Sequence, residues 1–430
     1  MAAVRASELY SAILSENASI IVNIAKEYGT NSIIDGAKSK PSKGLAILPL
    51  HLAASYRKVH SIESLLLAGA NPGIRDQQGR NALHLVITHW PYIHATWPAS
   101  QSRFQTAMVS MQKRAEACLQ VLCNHGVDLN TVVDSGSRQT AMHLAVRFAA
   151  LSAIHILASH GAAVNTTDLY GMTPLHMAAS MLNTEIAVCL IKLGADVNKV
   201  VSHSGNRPLH LAALTTAFRP EKNMDTALRC ITELLDQGAE VDAVNNAGRT
   251  ALHEACSVGK EAVVNLLLRR GADINKQTPA GENGLFLFLD HRPNLCHTSL
   301  LGRLLSLTSP LTIANGAGLQ PSTLLLPQYS RQREQILALT RHPRSLMDIC
   351  RIQAFQYYGS GSSRRQTLAD LLPERLHRYV LWGSSCDISF VSDDDKAKSG
   401  SWSDFFHREE PERANSLDVP APERQRASEH

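Results

Sequence analysis

The amino-acid sequence predicts an all-α solenoid, in which helix–turn–helix units stack side by side and share one continuous core. Three observations lead to this prediction. A four-residue motif that begins Pro/Ala-Leu/Met-His occurs six times, and a closing box related to Gly-Ala-Asp-Val-Asn follows each copy. The histidines of successive copies are spaced by 33, 59, 33, 34 and 43 residues. These marker histidines are His51, His84, His143, His176, His210 and His253. A unit of about 33 residues cannot bury its own apolar face, so it needs neighbouring copies.

The unit is clearest in residues 168–198. Gly171 suits a tight turn, Thr173 is a favourable helix N-cap, and Pro174 fits the first helical position, where its missing N–H costs nothing. Gly194 lies where a second helix must end, because glycine enters the left-handed conformation of a helix cap without strain. Each unit therefore reads as turn, short helix, second helix, turn.

This unit resembles the repeat of the ankyrin-repeat family, whose Thr-Pro-Leu-His-x-Ala core stands here at residues 173–178. The resemblance implies six ankyrin repeats over residues 44–279 and a role in binding other proteins. Residues 1–43 lack the turn signature and are expected to form degenerate N-terminal capping helices. Residues 280–342 are expected to form a degenerate repeat and a C-terminal cap.

Two insertions interrupt the repeats, near residues 88–113 and 215–225. Both follow the first helix of a repeat, so both should emerge on the same edge of the stack. The first carries Trp90, Tyr92 and Trp97, and two alternatives are open for these rings. They anchor a partner protein, as exposed aromatic residues often do, or they fold back as cover over neighbouring helices.

Composition excludes several classes of function. The net charge is only +4, from 42 basic and 38 acidic residues, which gives no basis for nucleic acid as a partner. No signal peptide and no apolar run of about 18 residues is found, so an intracellular, cytoplasmic location without a membrane partner is expected, with the nucleus left open. The eight cysteines contain no Cys-x-x-Cys pair and are expected to be free, mostly buried thiols.

The repeated histidines do not predict a metal or catalytic site. One occurs per repeat, so stacking spaces them along the solenoid, whereas metal ligands must converge within about 2 Å of one ion. They are expected to hydrogen-bond backbone and hydroxyl groups at the start of each first helix. No phosphate-binding glycine loop, nucleophile elbow or zinc-protease motif is present. The sequence therefore predicts no enzyme, no metal and no cofactor.

A different pattern begins at Pro343. Leu346, Cys350 and Ala354 are spaced by four residues and form one stripe of a predicted helix, with Ile349 beside them. The two small side chains would let a partner surface approach closely, while Leu346 would project from the stripe.

Residues 343–382 resemble the SOCS box of the ankyrin-repeat and SOCS-box family. In that family the helix that matches Leu346, Ile349, Cys350 and Ala354 docks into Elongin C and links the repeats to a Cullin–RING ubiquitin ligase. A following segment resembles the Cullin-selecting half of the box. Its matching residues are Pro373, Leu376 and Tyr379, although Asp370-Leu371 replaces the family's earlier Leu-Pro pair.

The sequence thus predicts a non-enzymatic protein-interaction adaptor. The resemblance implies that it is the substrate-recognition subunit of a ubiquitin ligase, which holds a protein on its repeats and recruits Elongin B/C and a Cullin. The alternative is a plain ankyrin-repeat scaffold with no ligase link, in which the C-terminal hairpin only caps the repeats. Residues 383–430, rich in charged residues and serine, are expected to form a disordered tail.

Overall fold

A computed structural model describes residues 2–28, 31, 48–91, 103–133, 136–218, 224–341 and 350 of the 430 residues. Within these ranges the elements are helices, and the one extended pairing is an isolated antiparallel bridge between Val132 and Thr140. The predicted all-α solenoid is confirmed.

The N-terminal end of the stack is formed by two helices, α1 (Ala2–Ser15) and α2 (Ala18–Tyr28). Helix α1 packs against the first helix of the following repeat, and α2 packs against its second helix. Ile13 and Ile21 are completely buried. The two helices therefore cover the apolar end that the first repeat would otherwise expose.

The repeats form two layers of helices. The first helices are α3 (Pro49–Ser55), α5 (Ala82–Thr88), α7 (Ala141–Arg147), α9 (Pro174–Ser180), α11 (Pro208–Thr215) and α13 (Ala251–Val258). The second helices are α4 (Val59–Leu67), α6 (Arg103–Asn124), α8 (Leu151–Ser159), α10 (Thr184–Lys192), α12 (Met224–Asp236) and α14 (Glu261–Arg269). Each first helix packs on the first helix of the next repeat, and the second helices stack in the same way.

The core runs without interruption between the layers. First helices bury alanines, such as Ala178 and Ala212, whose small side chains let successive helices approach closely. Second helices bury leucines, such as Leu157 and Leu190. The two helices of a repeat pack on each other, and each repeat also shares this core with both neighbours, so stacking buries the apolar surface that one repeat alone would leave exposed.

The C-terminal part contains α15 (Gly284–Leu289), α16 (Thr298–Leu307) and α17 (Ser330–Arg341), with short 3-10 turns at Arg292–Cys296, Ser322–Leu325 and Pro327–Tyr329. Asn294 joins this part to the last full repeat. Its buried side-chain amide donates to the backbone oxygens of Cys256 (3.2 Å) and Ser257 (2.9 Å), which lie near the end of α13. Asn294 therefore satisfies carbonyl groups that a helix end leaves without partners.

The first insertion is partly helical. Helix α6 has 22 residues, whereas α4, α8, α10 and α14 have nine each. The repeat spacing predicts the insertion near residues 88–113, and α6 begins at Arg103. Much of the insertion is therefore an N-terminal extension of a second helix.

Candidate protein-interaction surface

The turns that begin the repeats are held in shape by their own side chains. In the fourth repeat, one carboxylate oxygen of Asp168 accepts hydrogen bonds from the backbone N–H groups of Tyr170 and Met172, both at 2.9 Å. Asp76, Asn245 and Asn315 make the same pair of bonds in their own turns. Such turn tips are preorganised, which lowers the entropic cost of binding a partner.

Backbone hydrogen bonds also join neighbouring tips. The N–H of Leu169 donates to the carbonyl of Ser137 at 3.0 Å, and the N–H of Asn246 donates to that of Ser204 at 3.0 Å. The tips therefore form connected pairs along one edge of the solenoid. Together with the first helices they form a surface that we call the concave face.

The marker histidines connect the first helices to these tips. In the fourth repeat, the backbone N–H of Thr173 donates to Nδ1 of His176 at 3.1 Å. Because Nδ1 accepts, Nε2 carries the proton of the neutral ring and donates to the carbonyl of Lys199 at 3.0 Å. The other Nε2 bonds are His51 to Arg80 (2.9 Å), His84 to Thr131 (3.1 Å), His143 to Met172 (3.0 Å), His210 to Arg249 (3.0 Å) and His253 to Lys276 (2.8 Å).

Burial keeps these six rings neutral. It lowers the pKa of all six, and the pKa of His84 and His176 falls to about 4. The expected hydrogen bonding at the helix start is confirmed for five rings, whereas His51 Nδ1 has no partner among the described residues. No local signal in the sequence predicts the second bond of each ring, which crosses to the next repeat. Within the described ranges no three His, Cys, Asp or Glu residues could hold a metal ion.

The closing boxes carry a second set of bonds between repeats. Asn165 accepts from the backbone N–H of Asp196 and donates to the carbonyl of Gly194, both at 2.9 Å. Asn198 makes the equivalent bonds to Glu240 and Gly238. Gly194 itself has a φ of 93°, the left-handed conformation that its position in the sequence predicts. Asn165 and Asn198 therefore join neighbouring closing boxes, in addition to the bonds that the marker histidines make to the next repeat.

The tips of the third and fourth repeats expose side chains that suit a protein interface. Tyr170 is 61% exposed and Leu169 is 48% exposed. Arg138, in the neighbouring tip, is exposed as well. Tyrosine and arginine are enriched among the residues that contribute most to protein–protein binding.

A cleft lies on the concave face between the second and third repeats, with a volume of about 160 Å³. Its wall includes Arg80 from one tip, Gln139 from the next, and Leu144, Arg147 and Phe148 from the end of α7. We call it the Arg147 cleft. It joins a basic group to apolar surface, so it suits a side chain of a bound protein better than a reaction centre.

The structure describes one of the three aromatic residues predicted as anchors. Trp90 is 8% exposed and belongs to the hydrophobic core cluster. It lies two residues after α5, and its ring covers neighbouring helices. For Trp90 this agrees with the alternative in which the aromatic residues fold back as cover. Tyr92 and Trp97 lie outside the described residues, and their role as anchors stays a prediction.

Of the residues matched to the C-terminal box, the structure describes Cys350, an exposed free thiol. The other predicted Elongin-binding and Cullin-selecting residues lie outside the described ranges. They are Leu346, Ile349, Ala354, Pro373, Leu376 and Tyr379.

The remaining described cysteines are free, and five of them are buried. Burial raises the pKa of Cys118, Cys230 and Cys256 to about 12 and that of Cys123 to about 11. These thiols therefore stay protonated at neutral pH and are poor nucleophiles. Among the helices of the described ranges, none has the length and hydropathy needed to cross a bilayer.

Comparison with known proteins identifies the repeats. Residues 201–278 match the family described as "Ankyrin repeats (3 copies)", residues 148–191 match "Ankyrin repeats (many copies)", and residues 48–77 match "Ankyrin repeat". The crystal structure of the ankyrin repeat domain of Bcl-3 aligns with a TM-score of 0.46 at 24% identity, covering 60% of this chain and 96% of that one.

Two curated relatives share parts of the chain. The Nuclear factor NF-kappa-B p105 subunit of Gallus gallus is 30% identical over 167 residues, which cover 38% of this chain and 14% of that protein. Ankyrin repeat and SOCS box protein 16 of Homo sapiens is 26% identical over 243 residues, 48% of this chain and 53% of that protein. The matches therefore span less than two thirds of either relative. The chain therefore carries ankyrin repeats over these three matched stretches.

Proposed function

We propose that this protein is a non-enzymatic adaptor that holds a cargo protein on its concave face and recruits Elongin B/C through residues 343–382. The observation that carries the first half is the row of preorganised tips. Tyr170 and Arg138 are exposed on two tips that the Leu169–Ser137 hydrogen bond joins. A rigid surface that exposes such residues loses little entropy when a protein binds.

The second half rests on the C-terminal stripe. Helix α17 ends at Arg341, directly before the Pro343 break, so the box would follow the repeats without a long linker. Cys350 is exposed, as a residue that enters a partner's groove must be. The similarity to Ankyrin repeat and SOCS box protein 16, whose name joins the two kinds of module, supports a box of this kind beside the repeats.

In this proposal Leu346, Ile349, Cys350 and Ala354 form the face that enters an apolar groove of Elongin C, a helix-in-groove contact. Leu346 would bury most of its side chain, which is worth about 1.5–3 kcal/mol. Pro373, Leu376 and Tyr379 would form the Cullin-selecting half. The replacement of the family's Leu-Pro pair by Asp370-Leu371 leaves the identity of the Cullin open.

The test mixes the purified full chain with excess Elongin B/C and measures complex formation by size-exclusion chromatography. Wild type should form a complex, and a Leu346→Pro, Cys350→Phe double variant should not, because it breaks the helix and adds bulk to the stripe. Cys296→Phe makes the same change at an exposed cysteine of the repeat stack and should bind like wild type.

The plain scaffold predicts a different outcome. Wild type would form no complex with Elongin B/C, and the double variant would lower the melting temperature because the segment would only cap the repeats. That result would remove the ligase role and leave a protein-binding scaffold.

A further inference from the structure

The Arg147 cleft has a basic group whose charge no carboxylate in the described ranges neutralises. Arg147 donates from Nη1 to the side-chain oxygen of Gln139 at 3.1 Å. Gln139 is 8% exposed, so a buried amide holds the guanidinium at the cleft wall. A neutral amide orients the arginine and leaves its positive charge, and its remaining N–H donors, for a ligand.

The two charged side chains that line the cleft, Arg80 and Arg147, are both basic. Arg80 also lines it and makes a 2.8 Å ion pair with Asp76, so that arginine is already neutralised. Arg138 is exposed in the tip that supplies Ser137 and Gln139, and Arg75 donates to the carbonyl of Val132 at 3.4 Å, beside the cleft residue Val133. Among the described residues that line the cleft, none is acidic.

The rest of the cleft limits what can enter. Leu144 is buried and Phe148 is half-buried, so the wall next to Arg147 is apolar. A volume of about 160 Å³ leaves room for roughly one side chain. A polyanion such as nucleic acid would need a line of unpaired cations, whereas this site offers one oriented guanidinium.

We propose that the Arg147 cleft binds the carboxylate of an Asp or Glu side chain, flanked by an apolar residue, in an extended acidic segment of the cargo protein. This inference rests on the proposed function, since it requires that the concave face hold a protein. The carboxylate pairs with Arg147, and the apolar neighbour packs on Leu144 and Phe148. Arginine suits this role because its planar group can bind a carboxylate with two hydrogen bonds.

The test uses fluorescence anisotropy of a labelled peptide, Gly-Ser-Ala-Glu-Leu-Glu-Ala-Ser-Gly, titrated with the full chain at low salt. A Gln-for-Glu peptide should bind about tenfold more weakly, as expected for loss of a charge-assisted hydrogen bond, and a Lys-for-Glu peptide should not bind. Added salt should weaken binding of the acidic peptide more than binding of the neutral peptide.

Two matched variants locate the binding. Arg147→Glu should abolish binding of the acidic peptide. Arg229→Glu makes the same charge change at an exposed position of α12 in the second layer and should bind like wild type. Circular dichroism is expected to be the same for both variants, because both side chains are exposed. Equal binding by Arg147→Glu and wild type, or equal loss in both variants, would overturn the proposal.

Other occupants give distinct results. Displacement of the peptide by an equal concentration of single-stranded oligonucleotide would show simple attraction of polyanions and overturn the proposal. Binding that is seen only after Asp393, Asp394 and Asp395 are changed to Asn would show that the chain's own acidic tail fills the cleft, and would also overturn it. The peptide assay contains no Elongin, so its failure and failure of the Elongin complex are separate outcomes.

Discussion

The buried histidines predict that acid destabilises this solenoid well above the pH at which most carboxylates are protonated. Unfolding releases each ring from burial, and an unfolded histidine has a pKa of about 6.5. In the folded chain the pKa of His84 and of His176 is about 4. Between these values the unfolded state binds more protons, so stability is complete above pH 6.5 and is lost as the pH falls towards 4.

The magnitude follows from these pKa values. Linkage gives a loss of about 2 kcal/mol for each of His84 and His176 between pH 7 and pH 5. The pKa of the other four marker histidines is lowered too, so they add to the loss. Burial raises the pKa of Asp242 and Glu254. These two groups bind protons more readily in the folded state, so their contribution to the free energy of unfolding rises as the pH falls and opposes that of the histidines. A variant in which one marker histidine is replaced isolates the contribution of that ring, because only its part of the pH dependence of the free energy of unfolding is lost.

The assay is urea unfolding followed by circular dichroism at several pH values from 7 to 5, with wild type and His176→Gln. The glutamine amide can still donate towards the carbonyl of Lys199 but does not titrate. The variant should be less stable at pH 7, and its free energy of unfolding should fall less steeply, by about 1 kcal/mol per pH unit near pH 5.5. His203→Gln, at an exposed tip position, is the control for the same substitution outside the buried set.

The reasoning would be refuted by a His176→Gln slope equal to that of wild type. A wild-type stability that does not change from pH 7 to pH 5 would also refute it, unless the Asp242 and Glu254 contribution cancels that of the histidines. A Glu254→Gln variant removes part of that opposing contribution, so it must then reveal the fall.

Two further predictions concern backbone and core. Gly194→Ala should lower the free energy of unfolding by about 1 kcal/mol, because φ is 93° but nothing lies within 4 Å of the added Cβ. Gly205→Ala should cost clearly more, because its Cβ would lie 2.5 Å from the backbone nitrogen of Asn246, and equal losses in urea unfolding would contradict this difference. Trp90→Ala should cost about 3–5 kcal/mol as a core cavity, while Phe218→Ala, at a side chain 88% exposed, should change stability little. An unchanged melting temperature for Trp90→Ala would restore the anchor interpretation of that residue.

The repeat architecture could be predicted from the sequence because its signals act over a few residues. Thr173 and Pro174 define a helix start within one turn, and Gly194 defines a helix end by its own backbone conformation. Repetition at a fixed period then implies stacking, since one unit cannot bury its apolar face alone. The tip turns follow the same logic, because Asp168 bonds to N–H groups two and four residues away.

Contacts between repeats could not be predicted in this way. The Nε2 bond of His176 reaches Lys199, 23 residues on, while that of His84 reaches Thr131, 47 residues on across the insertion. Which carbonyl each ring meets therefore depends on how two repeats pack, and not on local spacing.

Tertiary structure also determined the burial of Trp90 and the position of the Arg147 cleft. The sequence placed Trp90 in an insertion and left open whether its ring would be exposed. Packing put it in the core, where Trp90 belongs to the cluster of buried residues. The cleft joins Arg80 and Arg147, 67 positions apart, and no periodic pattern marks either residue. Sequence specified the repeating unit, whereas the charge and shape of the binding surface arose only where two units meet.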